Sequence, residues 1–253
     1  MNMTGNTILI TGGGSGIGRA LAQAFHRRGN QVIVAGRRQA LLDEVANANP
    51  GIMTAVVDLA DAQDIERFTQ QVARDYPALN VVINNAGIMR PEDWTAETID
   101  TSTAGATIAT NLLAPILLTA GLLPLLRTQE RATVVTVSSG LAFLPLAITP
   151  TYSATKAAIH SFSESLRHQL RGTNVDVIEI APPYVQTELM GAHQAADPRA
   201  MPLAAFIDEV IDIMETQPDA AEVLVQRVHA QRFAAERGQA GYQELFAQVN
   251  GNG

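Results

Sequence analysis

The stretch that most constrains this chain is residues 7–18, T-I-L-I-T-G-G-G-S-G-I-G. Residues 7–10 form a short continuous apolar run, as expected of a parallel strand buried on both faces. Beyond the glycines, Ile17, Ala20, Leu21, Ala24 and Phe25 recur at helical spacing, and Gly29 stands just past the end of that pattern. Strand, glycine-rich turn and helix together make the glycines meaningful. They follow T-G-x-x-x-G-x-G, with Gly12, Gly16 and Gly18, where the common dinucleotide-binding spacing is G-x-G-x-x-G. Such glycines let the backbone approach a pyrophosphate. The helix N-terminus, at Ser15, Gly16, Ile17 and Gly18, offers free N–H groups and a positive dipole end.

Further strand-like runs at 31–35, 52–57, 79–83, 133–137 and 174–180 alternate with helical patterns. The alternation predicts an α/β protein, a Rossmann-type doubly wound parallel sheet with helices on both faces. The 253 residues suit a single NAD(P)-binding domain spanning 1–253, with a lid over about 184–215 and a helical tail over about 226–250. The second strand ends in Gly36-Arg37-Arg38, where the adenosine ribose is met in this architecture. No acidic residue is there to take a 2′-hydroxyl. Two arginines are, and a guanidinium suits a 2′-phosphate, so NADP(H) is expected over NAD, with Arg38 the more peripheral of the two. Asp58, after the third strand, either contacts the adenine or caps the helix from residue 61 onward.

Charge and composition narrow the function. The formal net charge is -8, which disfavours nucleic acid and anionic membrane as partners. With no cysteine, disulfides, thiolate metal sites and cysteine nucleophiles are excluded. None of the five histidines shows paired ligand spacing, so no metal is expected. No basic segment precedes an apolar core near residue 1. The longest apolar stretch, 112–126, contains Pro115, Gly121 and Pro124 and falls short of a membrane span. A soluble cytoplasmic protein is the expectation.

The fourth strand ends in Asn84-Asn85-Ala86-Gly87, small and amide residues suited to a backbone that touches a ligand. Asn111 lies in the middle of an apolar helix pattern, I-A-T-N-L-L-A-P, where asparagine needs a specific partner. The fifth strand runs into Ser138-Ser139-Gly140. Tyr152 and Lys156 follow in T-Y-S-A-T-K, four residues apart and so on one helix face. An ammonium beside a phenol, whose ordinary pKa is about 10, favours the phenolate and tunes a proton donor or acceptor.

In this order and spacing, T-G-x-x-x-G-x-G, N-N-A-G, the helical Asn, S-S-G and Y-x-x-x-K resemble the short-chain dehydrogenase/reductase superfamily over nearly the whole chain. More narrowly, T-G-N-T-I-L-I-T-G-G, A-T-N-L-L-A-P-I, V-S-S-G-L-A-F and V-I-E-I-A-P-P are similar to the DltE-like oxidoreductases. The resemblance implies a catalytic tetrad of Asn111, Ser139, Tyr152 and Lys156, the serine being chosen because the family's lies 13 positions before the tyrosine. Tyr152 would be general acid or base. Ser139 would hydrogen-bond the substrate oxygen, and Lys156 would tune the tyrosine and hold the nicotinamide ribose. Asn111 would anchor a water in a proton relay. Asn85, Ala86 and Gly87 would line the cofactor, with Pro182, Val185 and Thr187 reaching the nicotinamide end. The family's usual Pro-Gly is Pro182-Pro183 here, a stiffer turn.

The expected activity is therefore hydride transfer between NADP(H) and a carbonyl or secondary alcohol, in a homodimer or homotetramer of the kind relatives form through the tyrosine helix. A mostly apolar set, Met89, Trp94, Leu141, Phe143, Leu144 and Leu146, with Tyr184, Leu189, Met190 and Phe206 from the lid and Arg90 as the fixed charge, points to a bulky or aryl ketone. The rival readings are a non-catalytic dinucleotide-binding sensor and a lyase or epimerase that retains its nicotinamide, for whose further substrate domain the chain has no room.

Overall fold

The computed structural model describes residues 1–251. Seven strands, β1 (Thr7–Thr11), β2 (Gln31–Gly36), β3 (Met53–Val56), β4 (Leu79–Asn84), β5 (Ala132–Val137), β6 (Val175–Ile180) and β7 (Glu222–Val223), form one sheet in the order β3-β2-β1-β4-β5-β6-β7. Every neighbouring pair is parallel. The order reverses between β1 and β4, so the crevice for a ligand opens at their C-terminal ends, beside Thr11 and Asn84.

The helices are α1 (Gly16–Arg27), α2 (Gln39–Ala48), α3 (Ala62–Asp75), α4 (Ser102–Ile108), α5 (Ala114–Leu126), α6 (Pro150–Gln169), α7 (Ala192–Ala195), α8 (Leu203–Thr216), α9 (His229–Arg232) and α10 (Gly238–Asn250). They divide between two cores because side chains alternate along each strand. Ile8 and Ile10 of β1 pack with Leu21 and Phe25 of α1 and Phe206 and Val210 of α8. Leu9, between them, faces Phe68 of α3 and Leu118 and Leu122 of α5. Both faces being covered, the strands read as unbroken apolar runs.

Three expectations about elements need correction. First, α4, a π-turn at Ala109–Leu113 and α5 form one helical segment, Ser102–Leu126, which is long and apolar enough to cross a membrane by length and composition. Its α5 part packs on α3, β4 and β5. Second, the segment expected as a lid contains a short helix that no pattern marked. It holds α7, and Val185 bridges to Met201. Third, the tail is broken into short 3-10 turns at Gln226–Val228 and Ala234–Arg237 around α9. It becomes a regular helix only from Gly238, whose φ of 73° resets the chain direction.

Candidate active site

The glycine turn and the end of β4 are locked together. The Thr11 hydroxyl accepts the N–H groups of Asn85 and Ala86, both at 3.1 Å, and the Asn85 side chain donates to the Thr11 carbonyl at 2.9 Å. A Cβ on Gly12 would stand 2.9 Å from both Ala86 Cα and Asn85 Nδ2, and one on Gly18 would stand 2.4 Å from Asn85 Nδ2 and the Gly12 carbonyl. These two glycines therefore answer first to the protein's own packing. Gly16, at φ 53°, turns the chain into α1, and Thr187 lies across from it, its Cγ2 3.6 Å from where a Cβ would be. Ser15 is the N-cap of α1, yet its hydroxyl caps nothing. It accepts from Arg38 Nη2 at 3.3 Å instead. The first N–H groups of the helix, from Gly16, Ile17 and Gly18, have no partner within it, so they are open to an anion. Arg38 is thus the arginine that reaches the turn, reversing the expected ranking. Arg37 is exposed beside it.

Asp58 does not cap the third helix. Its Oδ1 accepts from Ala60 N–H in a local turn, and Asp61 caps α3 through Gln63 N–H. Val185 is buried in the core that holds Ile8 and Phe206, and its carbonyl accepts from Gln194. The Pro182 carbonyl accepts from Gly140 N–H at 2.8 Å. Gln194, which no sequence pattern marked, also donates to Thr187 Oγ1 and accepts from Met190 N–H, tying together the turn after β6.

Tyr152, Lys156, Ser139 and Asn111 are brought together. Helix α6 starts with Pro150 at its N-terminus, and both Tyr152 and Lys156 are buried. Lys156 Nζ lies 5.5 Å from the centre of the tyrosine ring and donates to the Val137 carbonyl at 2.7 Å. Burial pushes the phenol of Tyr152 up to about 12, against a smaller pull toward the phenolate from Ser139. The expected lowering by Lys156 does not overcome that burial, which also pulls the lysine down, to about 8. Ser138 turns away toward the Ile180 carbonyl.

Asn111 sits in the π-turn. Its Oδ1 accepts from Ile88 N–H and its Nδ2 donates to the Ile88 carbonyl, both at 2.9 Å, with Thr155 Oγ1 at 3.4 Å. The side chain is thus a clamp and is not free to hold a relay water. Its main-chain carbonyl is the freer group, because residue 115, four positions on, is a proline with no N–H. Gly87 lies between the two: a Cβ there would stand 3.4 Å from Asn111 Oδ1 and 3.8 Å from Lys156 Nζ.

Two further residues were not foreseen. Glu92 accepts from the N–H and hydroxyl of Thr151, at 3.0 and 2.7 Å, and so caps the helix that carries Tyr152. Asn250, at the end of α10, donates to the Pro145 carbonyl and accepts from Ala147 N–H, tying the tail to the loop after Ser139. Of the expected substrate contacts, Phe206 and Leu144 are fully buried, and Trp94 stands 55% exposed. Phe143 is held under the tail, between His160 and Arg232, each 4.7 Å away.

The short chain dehydrogenase family model matches residues 6–198. Among curated proteins the chain is 42% identical over 253 residues to the uncharacterized oxidoreductase DltE of Bacillus subtilis, covering 99% of this chain and 98% of that one. Among solved structures it is similar to a short chain dehydrogenase from Burkholderia cenocepacia in complex with NADP, at 25% identity and TM-score 0.80, covering 98% and 99% of the two chains. It is also similar to a putative short chain dehydrogenase from Escherichia coli complexed with NADPH, at 25% identity and TM-score 0.76, covering 87% and 95%. A sheet wound about β1 and β4, with the glycine turn and the Tyr152–Lys156 helix at its C-terminal edge, agrees with these matches, and the chain belongs to the short-chain dehydrogenase family.

Proposed function

We propose that the protein is an NADP(H)-dependent carbonyl reductase or alcohol dehydrogenase acting on an apolar or aryl ketone and the matching secondary alcohol. The observation that carries this is the cluster of Ser139, Tyr152 and Lys156, buried together at the open end of the sheet. The residues fit the cofactor. The uncapped N-terminus of α1 suits the pyrophosphate, and Arg38, poised at Ser15, suits a 2′-phosphate. The relatives crystallised with NADP and NADPH agree.

The cofactor would supply the hydride. Tyr152 supplies the proton. A phenol pushed up to about 12 stays protonated at neutral pH and is ready to donate to a carbonyl oxygen as charge develops on it. Ser139 donates a hydrogen bond to that same oxygen. Lys156 steadies the tyrosine electrostatically and holds the nicotinamide ribose. Asn111 fixes the turn after β4 over Lys156, and its main-chain carbonyl anchors the water that returns a proton.

The expected substrate-facing apolar residues that are not buried are Leu141, Leu146, Leu189 and Met190, with Tyr184 at the rim. They favour burial of hydrocarbon at roughly 25 cal/mol per Å². We place the enzyme in the cytoplasm, as a homo-oligomer assembled through α5 and α6. The test is turnover of an aryl alkyl ketone with NADPH, against a small polar ketone of equal reactivity. The aryl ketone should have the higher kcat/KM, and Tyr152→Phe should lose at least about 100-fold with NADPH affinity unchanged. A preference for the polar ketone sinks the substrate class, and retained activity in Tyr152→Phe sinks the site.

A further inference from the structure

Lys156 is the only lysine in the chain, the remainder of the 17 basic residues being arginine, and it is 4% exposed. An ammonium taken out of water needs a counter-charge, or it gives up its proton. The Val137 carbonyl that receives Nζ is only a dipole. Across the β5–β6 ladder Thr136 pairs with Glu179 and Val137 with Ile180, so Glu179 sits one residue from the carbonyl that holds the lysine. Glu179 is fully buried. Its Oε2 lies 2.8 Å from His160 Nδ1, and its Oε1 has no hydrogen-bond partner. His160 follows Lys156 by one turn of α6, on the same face.

The charged groups around this carboxylate come from every element packed on it. On α6 they are Lys156, His160, Glu164 and Arg167, with the phenol of Tyr152. Glu164 Oε2 is 3.8 Å from His160 Nε2, and Arg167 donates to the carbonyls of Val177 and Ala221. From β7, Glu222 lies 4.0 Å from His160. From α9, Arg232 holds both oxygens of Glu222 at 2.8 Å. His160, Glu179 and Glu222 place donor atoms within 4.8 Å of one another. Arg232 already neutralises Glu222 and His160 already pairs with Glu179, so the array reads as closed ion pairs in preference to a metal site.

We propose that Glu179 is the counter-charge of Lys156, a positioning residue that keeps the lysine an ammonium in the dry interior and is itself held by His160 and the Glu222–Arg232 pair. Burial draws Lys156 down to about 8, and Glu179 acts against that pull. The same carboxylate raises His160. The meaning for catalysis rests on Lys156 belonging to the proposed active site, but the electrostatic pairing is measured without turnover.

A single lysine gives a single side-chain signal. Full-length protein carrying carbon-13 and nitrogen-15 in lysine is titrated by NMR, following the Lys156 Cε resonance. The wild type should show its inflection near 8. Glu179→Gln, which keeps the shape and removes the charge, should move it down by about one pH unit. Glu164→Gln, at a side chain 60% exposed, should move it by no more than ~0.2 unit. A second measurement needs no variant. In wild-type protein labelled at glutamate carboxyls, the Glu179 resonance should show a step at the Lys156 midpoint. An unmoved Lys156 inflection in Glu179→Gln overturns the proposal, and so does a Glu179 resonance that lacks that step. If the titrations follow the expected course while no ketone is reduced, the pairing stands and the reductase reading falls.

Discussion

Arg38 is the side chain on which the proposed preference for NADP(H) rests. Its guanidinium lies within reach of Ser15, so a 2′-phosphate beside Ser15 would meet a preplaced charge. A charge-assisted hydrogen bond is worth ~1.5–3 kcal/mol, and Arg38→Leu should therefore weaken NADPH binding about tenfold or more. Binding of NADH should change by less than about threefold, and cofactor fluorescence titration reads both. Arg37→Leu should have the smaller effect of the two. That arginines stand here was legible in the sequence, but their ranking was not. The ranking depends on where α2 starts: Arg38 is its N-cap residue, with an extended backbone. Asp58 keeps only one of its two expected roles, contact with the adenine, for a related reason. Three aspartates, at 58, 61 and 64, stand near one helix start, and only the fold shows that Asp61 caps the helix while Asp64 accepts from Asp58 N–H.

The strands were the most legible elements, because a strand covered on both faces has to be apolar throughout. The segment between Gly87 and Ser102 was the least legible, since it is irregular and carries no period. It nevertheless supplies Glu92, the cap of α6. Glu92→Ala should cost about 1 kcal/mol, lowering the melting temperature by roughly 2–4 °C. Turnover should fall as well, because the first turn of that helix carries Tyr152. Calorimetry and steady-state rates check the two effects separately. The π-turn had a signal that went unread: Pro115 stands four residues after Asn111 and denies it the ordinary helical donor. At the tail, Asn250→Ala removes both contacts to the loop after Ser139. It should raise KM for the ketone severalfold and leave NADPH affinity unchanged.

Across the whole molecule, burying Lys156 and Tyr152 makes stability depend on alkaline pH in two opposed ways. Lys156 titrates near 8 in the folded chain against an ordinary 10.5. Between those values the unfolded chain binds the extra proton, so the lysine's contribution to stability rises with pH, by about 3 kcal/mol in all. Tyr152 is raised from 10.0 to about 12. Over that interval the folded chain keeps a proton that the unfolded chain loses, so the tyrosine's contribution falls. Lys156→Met should abolish the first effect: the advantage of this variant over wild type in denaturant melts should be largest below pH 8 and fade by pH 10. The doubly wound fold was legible from the first eighteen residues onward, whereas this electrostatic arrangement was not, because Glu179, Glu222 and Arg232 meet His160 only after β6, β7 and α9 have been laid down. The scarcity of lysine has one more consequence, for chemistry done to the protein from outside. With its single side-chain amine inside, the surface carries guanidinium and imidazole groups but no lysine amine. Succinimidyl esters and aldehyde crosslinkers should leave the surface side chains untouched, and a cofactor-shaped amine reagent that does react should label one residue.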